Sequence, residues 1–204
     1  FIKHKLLVAG IAVFALVAQP FYGLVASQVA NAATTVSSQA ELVAAIASGE
    51  TEINLGASFT TTSQVNINRN LVLNGNNFTI SPAFTASSSN DSALAVVGGN
   101  PTINNLMIEG VAAVNVQGIQ VWESAATLNN VTSRNNDKAG IHANKSPITV
   151  HNVTTASNGT SYGGILISGS GTVVVTGQSR HTEPVRAIWQ DGNAGSIRVT
   201  DSNA

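Results

Sequence analysis

The 204-residue chain contains no cysteine, so no disulfide staples its fold. It also lacks an excess of positive charge, with nine Lys and Arg against ten Asp and Glu. Nucleic acid is therefore excluded as the main partner, because phosphate binding needs a basic patch. No Gly-rich phosphate loop precedes a helix, and the histidines lack ligand spacing such as His-x-His, so the sequence predicts no metal site. Long apolar runs are missing as well. Leu6 to Val17 is the cleanest, and at about a dozen residues it falls short of the roughly 20 that span a bilayer.

That short run has a different reading. Lys3, His4 and Lys5 form a basic start, and Ala30-Asn31-Ala32 supplies a small-x-small pattern. Residues 1–32 are expected to be a signal peptide cleaved after Ala32, the alternative being an uncleaved anchor. Export follows, with no membrane span in the mature chain. Phe1 in place of Met implies residues ahead of it. Loss of Lys3 and Lys5 leaves seven basic and ten acidic side chains, a net charge near −3. Without disulfides, an exported protein of this kind depends on backbone hydrogen bonds and an aliphatic core.

Asn, Thr, Ser and Gly fill the space that charge leaves, and they recur in a pattern. Gly118-Ile119, Gly140-Ile141, Gly164-Ile165 and Ala187-Ile188 follow one another at spacings of 22, 24 and 23 residues. Half a motif away lie Thr102-Ile103-Asn104-Asn105-Leu106, Thr127-Leu128-Asn129-Asn130-Val131 and Thr149-Val150-His151-Asn152-Val153. Thr172-Val173 and Ser196-Ile197 continue that series. A period near 23 built from short β-rich segments predicts a solenoid in which each repeat is one coil. Division of residues 51–204 by that period predicts about seven coils and a rod roughly 30 Å long at ~4.8 Å per coil. Strands are expected at Glu52 to Leu55, Gln64 to Asn68, Asn70 to Asn74, Phe78 to Ser81 and Leu94 to Val97, with a polar loop over Ala83 to Ser92.

Ahead of the strands, Ser38-Gln39-Ala40-Glu41 has capping-box spacing and precedes Leu42, Val43, Ala45 and Ile46. Residues 33–50 are read as a cap region, with a helix over 37–49 that covers the apolar end of the first coil. Residues 51–204 are read as the β-helix, cut short just after a strand at Ala204.

Strand alternation assigns the faces. Ile119, Val121, Ile141, Ala143, Ile165, Ile167, Ile188 and Gln190 point inward. Gln120, Trp122, His142, Asn144, Leu166, Ser168, Trp189 and Asp191 point outward and form one wall. The leading Gly or Ala marks a corner that tolerates little bulk, and Asn105, Asn130 and Asn152 fall in register as a column.

The cap helix, the Asn column and the Gly-Ile starts resemble right-handed parallel β-helix proteins of the pectate-lyase-like superfamily, over roughly residues 37–204. The resemblance implies an all-β, right-handed parallel β-helix. Function stays open, because that superfamily holds lyases, hydrolases, epimerases, adhesins and phage spikes. It also implies that the outward wall is where polysaccharide would lie. Gln120, Trp122, His142, Asn144, Trp189 and Asp191 are the candidate substrate-binding residues there, since indole faces stack on sugars and amides bond hydroxyls. The alternative is that loops cover both tryptophans.

Catalysis would need more. A uronate lyase needs an Arg or Lys base and Ca²⁺ held by clustered acids. Arg134, Lys138, Arg180 and Arg186 are candidate bases, or else solvated turn charges. Asp137, Glu123, Asp191 and Glu183 stand singly on different coils. No cofactor is expected unless the lyase reading holds, when Ca²⁺ would be required. The Asn-Thr-Asp, Asp-Asp, His-Gly and Arg-Ile-Lys motifs of related glycosidases are missing. Three readings remain: a noncatalytic surface module that contacts polysaccharide or surface glycan, a polysaccharide lyase, and a structural spacer.

Overall fold

The computed structural model describes residues 33–192 and 195–200. The leader assigned to residues 1–32 lies outside them. β-Branched and aliphatic residues in runs of three to seven form strands that pair only in parallel, one coil above the next. Three sheets result. The first has eight strands: Thr34–Val36, Glu52–Leu55, Val72–Asn74, Thr102–Asn104, Ala126–Asn129, Pro147–His151, Thr172–Thr176 and Ser196–Val199. The second has six: Phe59–Thr61, Thr79–Pro82, Met107–Glu109, Thr132–Arg134, Thr154–Ala156 and Arg180–Thr182. The third also has six: Val65–Asn68, Ser92–Gly98, Gln117–Trp122, Ile141–Asn144, Ile165–Ser168 and Ile188–Asp191. The chain visits the three sheets in turn, so the protein is a parallel β-helix.

Among the described residues there are six full three-strand coils, against the roughly seven that the mean period suggests. The period is uneven. Asn74 lies 20 residues above Asn54, yet Asn104 lies 30 above Asn74, because the Ala83 to Asp91 loop is inserted there. That loop is folded by Asp91, whose carboxylate accepts from the backbone N–H of Ser87 and Ser88 and from both hydroxyls.

The helix runs Gln39–Ser48, capped by Ser38 Oγ accepting from Glu41 N–H and closed by Gly49 at φ 94°. Leu42, Ala45 and Ile46 are buried at the first coil's end. One strand in the cap region, Thr34–Val36, was not expected, and it pairs with Glu52–Leu55 ahead of the first full coil. Among the described residues no helix is long and apolar enough to cross a membrane.

Inside, Ile119, Ile141, Ile165 and Ile188 stand in one column, with Val121, Ala143, Ile167 and Gln190 beside them. The first-sheet column runs Leu73, Ile103, Leu128, Val150 and Val175. Val174, not Thr172, sits over Thr149, a two-residue slip that leaves each side chain on its face. In the second sheet one inward column turns polar as it rises: Ile80, Ile108, Ser133, Thr155, His181.

Corners carry the remaining hydrogen bonds. Asn105, Asn130 and Asn152 adopt φ of 50°, 52° and 52°, a left-handed turn that Asn tolerates. Their amides form a ladder, with Asn130 Nδ2 donating to Asn105 Oδ1 at 3.0 Å and Asn152 Nδ2 to Asn130 Oδ1 at 3.1 Å. A parallel ladder joins Asn54, Asn74, Asn104 and Asn129. At the corner after the second sheet, Asn136 Nδ2 donates to Asn158 Oδ1 at 2.7 Å, and Asn158 Nδ2 donates to Glu183 Oε1 at 2.8 Å. This buried ladder explains the glycines. A Cβ on Gly140 would lie 2.6 Å from Asn158 Nδ2 and 2.9 Å from Gly164 O.

Gly140→Ala is expected to destabilise the fold by about 2–3 kcal/mol, through overpacking and loss of a buried amide bond. Urea unfolding, read as a lower midpoint at unchanged slope, measures it. An unshifted midpoint would show that the corner relaxes freely.

Candidate functional site

The third sheet presents two outward rows, because alternation sends every second residue of each strand to solvent. The first row is Gln120, His142, Leu166 and Trp189, and the second is Trp122, Asn144, Ser168 and Asp191. All six candidate binding residues therefore lie on one wall. They differ sharply in access. Gln120 and His142 are buried at 2% and 5% exposure, whereas Trp122 is 44% exposed.

The first row ends under a stack of side chains from neighbouring turns. Lys138 Nζ lies 5.8 Å from the Tyr162 ring, Tyr162 lies 6.2 Å from Trp189, and the Arg186 guanidinium covers Trp189 at 4.2 Å. These are cation–π and tilted aromatic contacts. Arg186 thus occupies a face of Trp189 that a sugar ring would need. Lys138 is buried and donates from Nζ to Ser89 O at 3.0 Å, which ties the 83–91 loop to the wall.

His142 is buried two coils below Trp189 in the same row. Nε2 shares a hydrogen bond with Ser168 Oγ at 2.7 Å, and Nδ1 is buried without a partner, as is Gln120 Nε2. Burial lowers its pKa from 6.5 to about 4; Asp191 opposes the shift and Lys138 reinforces it. Burial likewise lowers the pKa of His181 against the pull of Glu183, while its Nδ1 bonds Thr155 Oγ1.

The candidate bases do not meet. Arg134 pairs with Glu109 at 2.8 Å on the second sheet, and that partner holds the Glu109 carboxyl below its usual range. Arg180 opens a second-sheet strand two coils above Arg134's. Lys138 is held by Ser89, and Arg186 lies on Trp189. No group of three His, Cys, Asp or Glu suited to a metal occurs among the described residues.

One feature escaped sequence reasoning. Turns between the second and third sheets line a groove of about 1220 Å³ that passes Gly110, Asn135, Asp137, Ser157, Tyr162 and Glu183. Its lining comes from four successive turns, none of which carries a periodic signal. The only hint in the sequence was the gathering of charges just ahead of Gly140 and Ala187.

The His142 shift has a sign. Between about pH 6.5 and 4 the unfolded chain takes up a proton that the folded chain refuses, so stability falls as pH drops through that window and is flat above it. His181 adds to the same slope. His142→Gln is expected to flatten the loss at about pH 5 by on the order of 1–2 kcal/mol, read as urea midpoints across pH. An unchanged slope would mean that the ring is already solvated.

Comparison with curated proteins and with solved structures returns no match. A family of pectate lyase-like adhesive domains matches residues 33–167, from the first strand of the cap region through the third-sheet strand that carries Leu166. That stretch is most of the described β-helix, and the chain belongs to the pectate lyase-like adhesive domain family.

Proposed function

We propose that the chain is a noncatalytic adhesion module of an exported or cell-surface protein, and that it contacts glycan through the Trp122 row. One observation carries the reading. Trp122 stands half out of the wall with Asn144, Ser168 and Asp191 in register above it, all on a frame of paired strands. An indole face supplies flat apolar area for a pyranose ring at little entropic cost, and the amide, hydroxyl and carboxylate above it suit sugar hydroxyls. The spacing of those groups is the spacing of the coils, ~4.8 Å, so a chain laid along the rod meets them in succession.

The family's adhesive character supports display outside the cell. The dispersal of Arg134, Lys138, Arg180 and Arg186 supports binding over elimination chemistry, since a base must reach the proton it removes.

Trp122→Ala is expected to weaken binding to the best glycan on an array at least about tenfold, or ~1.4 kcal/mol, with the unfolding midpoint unchanged. Unaltered binding would sink the row as the contact. Release of unsaturated uronate from polygalacturonate or alginate with Ca²⁺, followed by ultraviolet absorbance, would overturn the noncatalytic assignment.

A further inference from the structure

The row that starts at Trp122 is tied to the buried row beside it at one point. Ser168 belongs to the Trp122 row and is half-buried. Among the described residues its Oγ makes one hydrogen bond, to His142 Nε2 at 2.7 Å. The two residues sit on successive coils, since His142 pairs with Leu166 and Asn144 with Ser168. His142 is 5% exposed, and the rungs on either side of it, Gln120 and Leu166, are buried too. Burial lowers its pKa to about 4, so the ring is neutral at neutral pH.

A neutral imidazole carries one ring proton, so the bond to Ser168 has two possible directions. The other nitrogen decides between them. Nδ1 is buried without a partner, and a buried N–H with no acceptor is rarer than a buried acceptor with no donor. Gln120, on the next rung, offers nothing to such an N–H, because its own unpaired buried atom is Nε2, a donor. The proton therefore belongs on Nε2, which donates to Ser168 Oγ. Ser168 accepts from inside the wall, and its hydroxyl proton is left to turn outward. Along the row Asn144 lies one coil below it, Asp191 one coil above and Trp122 two coils below. A donor of fixed sense thus stands between two side chains that can accept, at ~4.8 Å per step.

We propose that His142 is a positioning residue that makes Ser168 a hydrogen-bond donor to the ligand of the Trp122 row, and that this ligand is a glycan bearing acetamido groups. An acetamido group has a carbonyl that only accepts and an N–H that only donates. Ser168 meets the first, and Asp191 or Asn144 Oδ1, one coil to either side, meets the second. A sugar hydroxyl both donates and accepts, so it gains less from a donor of fixed sense. The assignment rests on the glycan-binding reading above and names the ligand class of that same row.

Nitrogen-15 NMR of the histidine-labelled wild-type protein reads the proton directly, and a protonated Nε2 with a bare Nδ1 is expected for His142. Isothermal titration with N-acetylglucosamine oligomers and with glucose oligomers of the same linkage and length reads the ligand class. Wild type is expected to bind the acetylated oligomer at least about tenfold tighter. Ser168→Ala is expected to bring the two affinities within about threefold of each other, by weakening the acetylated oligomer alone. His142→Leu, which has no donor, is expected to lose most of the preference, whereas His142→Gln, whose amide can donate from the same place, keeps it. A proton on Nδ1, or a full preference in a folded His142→Leu, overturns the positioning role. Equal affinities in wild type, or a preference intact in Ser168→Ala, overturn the ligand class. Neither oligomer binding, while another glycan still depends on Trp122, leaves the adhesion reading standing and removes this proposal. Failure of every glycan removes both.

Discussion

The constraint on which the rest of the rod depends is the hydrogen bonding of each corner to the corner one coil below. Strands bond to strands readily, but a turn leaves N–H and C=O groups facing along the axis, and a rod without cysteine has no other staple. An amide side chain solves this because it donates and accepts at once, so each rung satisfies the next. Asn105, Asn130 and Asn152 do so at the surface, while Asn136 and Asn158 do so in the interior and hand the chain to Glu183. The interior ladder then dictates its surroundings. Gly118, Gly140 and Gly164 have no room for a Cβ because the ladder and the next coil's carbonyls fill it, not because their φ requires glycine. Corner shape follows, and with it the turn-lined groove outside.

Rigid rows have a cost on the outer wall. A residue such as Gln120 or His142 cannot swing aside from its packed row, and Gln120 Nε2 and His142 Nδ1 are left buried without a partner. Each such atom costs on the order of 1–3 kcal/mol, which the bond from Ser168 to His142 Nε2 offsets only in part. The neutral imidazole is the least costly answer for His142, and its depressed pKa is the trace of that choice.

Where a strand held two or more inward aliphatics, its place could be read. Ile119 with Val121 and Ile165 with Ile167 announce the third sheet, and Ser38 with Glu41 announces the helix. Of the second sheet, the strand expected at Phe78 to Ser81 was legible, but the later ones were not, for a reason. Thr132–Arg134 and Thr154–Ala156 bury one residue each, Ser133 and Thr155, and a single buried hydroxyl leaves no period. Thr172 misled by type, since Thr-Val recurs there while the true register places Pro147 beneath it. The wall was legible as a set of positions, but its accessibility was not. Lys138 reaches Ser89 across 49 residues, and Arg186 reaches Trp189 from a turn, contacts that follow from stacking geometry rather than from any local pattern.

The same geometry bears on what such a rod can do with its charges. Neighbouring coils bring equivalent positions within about 5 Å, so a cation is most easily met by an acid one coil away. Arg134 takes Glu109 and Lys145 takes Glu123, both at 2.8 Å, and each pair joins one coil to the next. Solvent screening leaves such pairs adding little stability, but they occupy bases and acids from which a catalytic centre would be assembled. What stays available is spread along the rod: an indole, amides, hydroxyls and the carboxylates of Asp137 and Asp191. Convergence favours chemistry at one point, whereas repetition favours many weak contacts in sequence. On the proposed adhesion reading, the side chains that this frame leaves uncommitted serve the second.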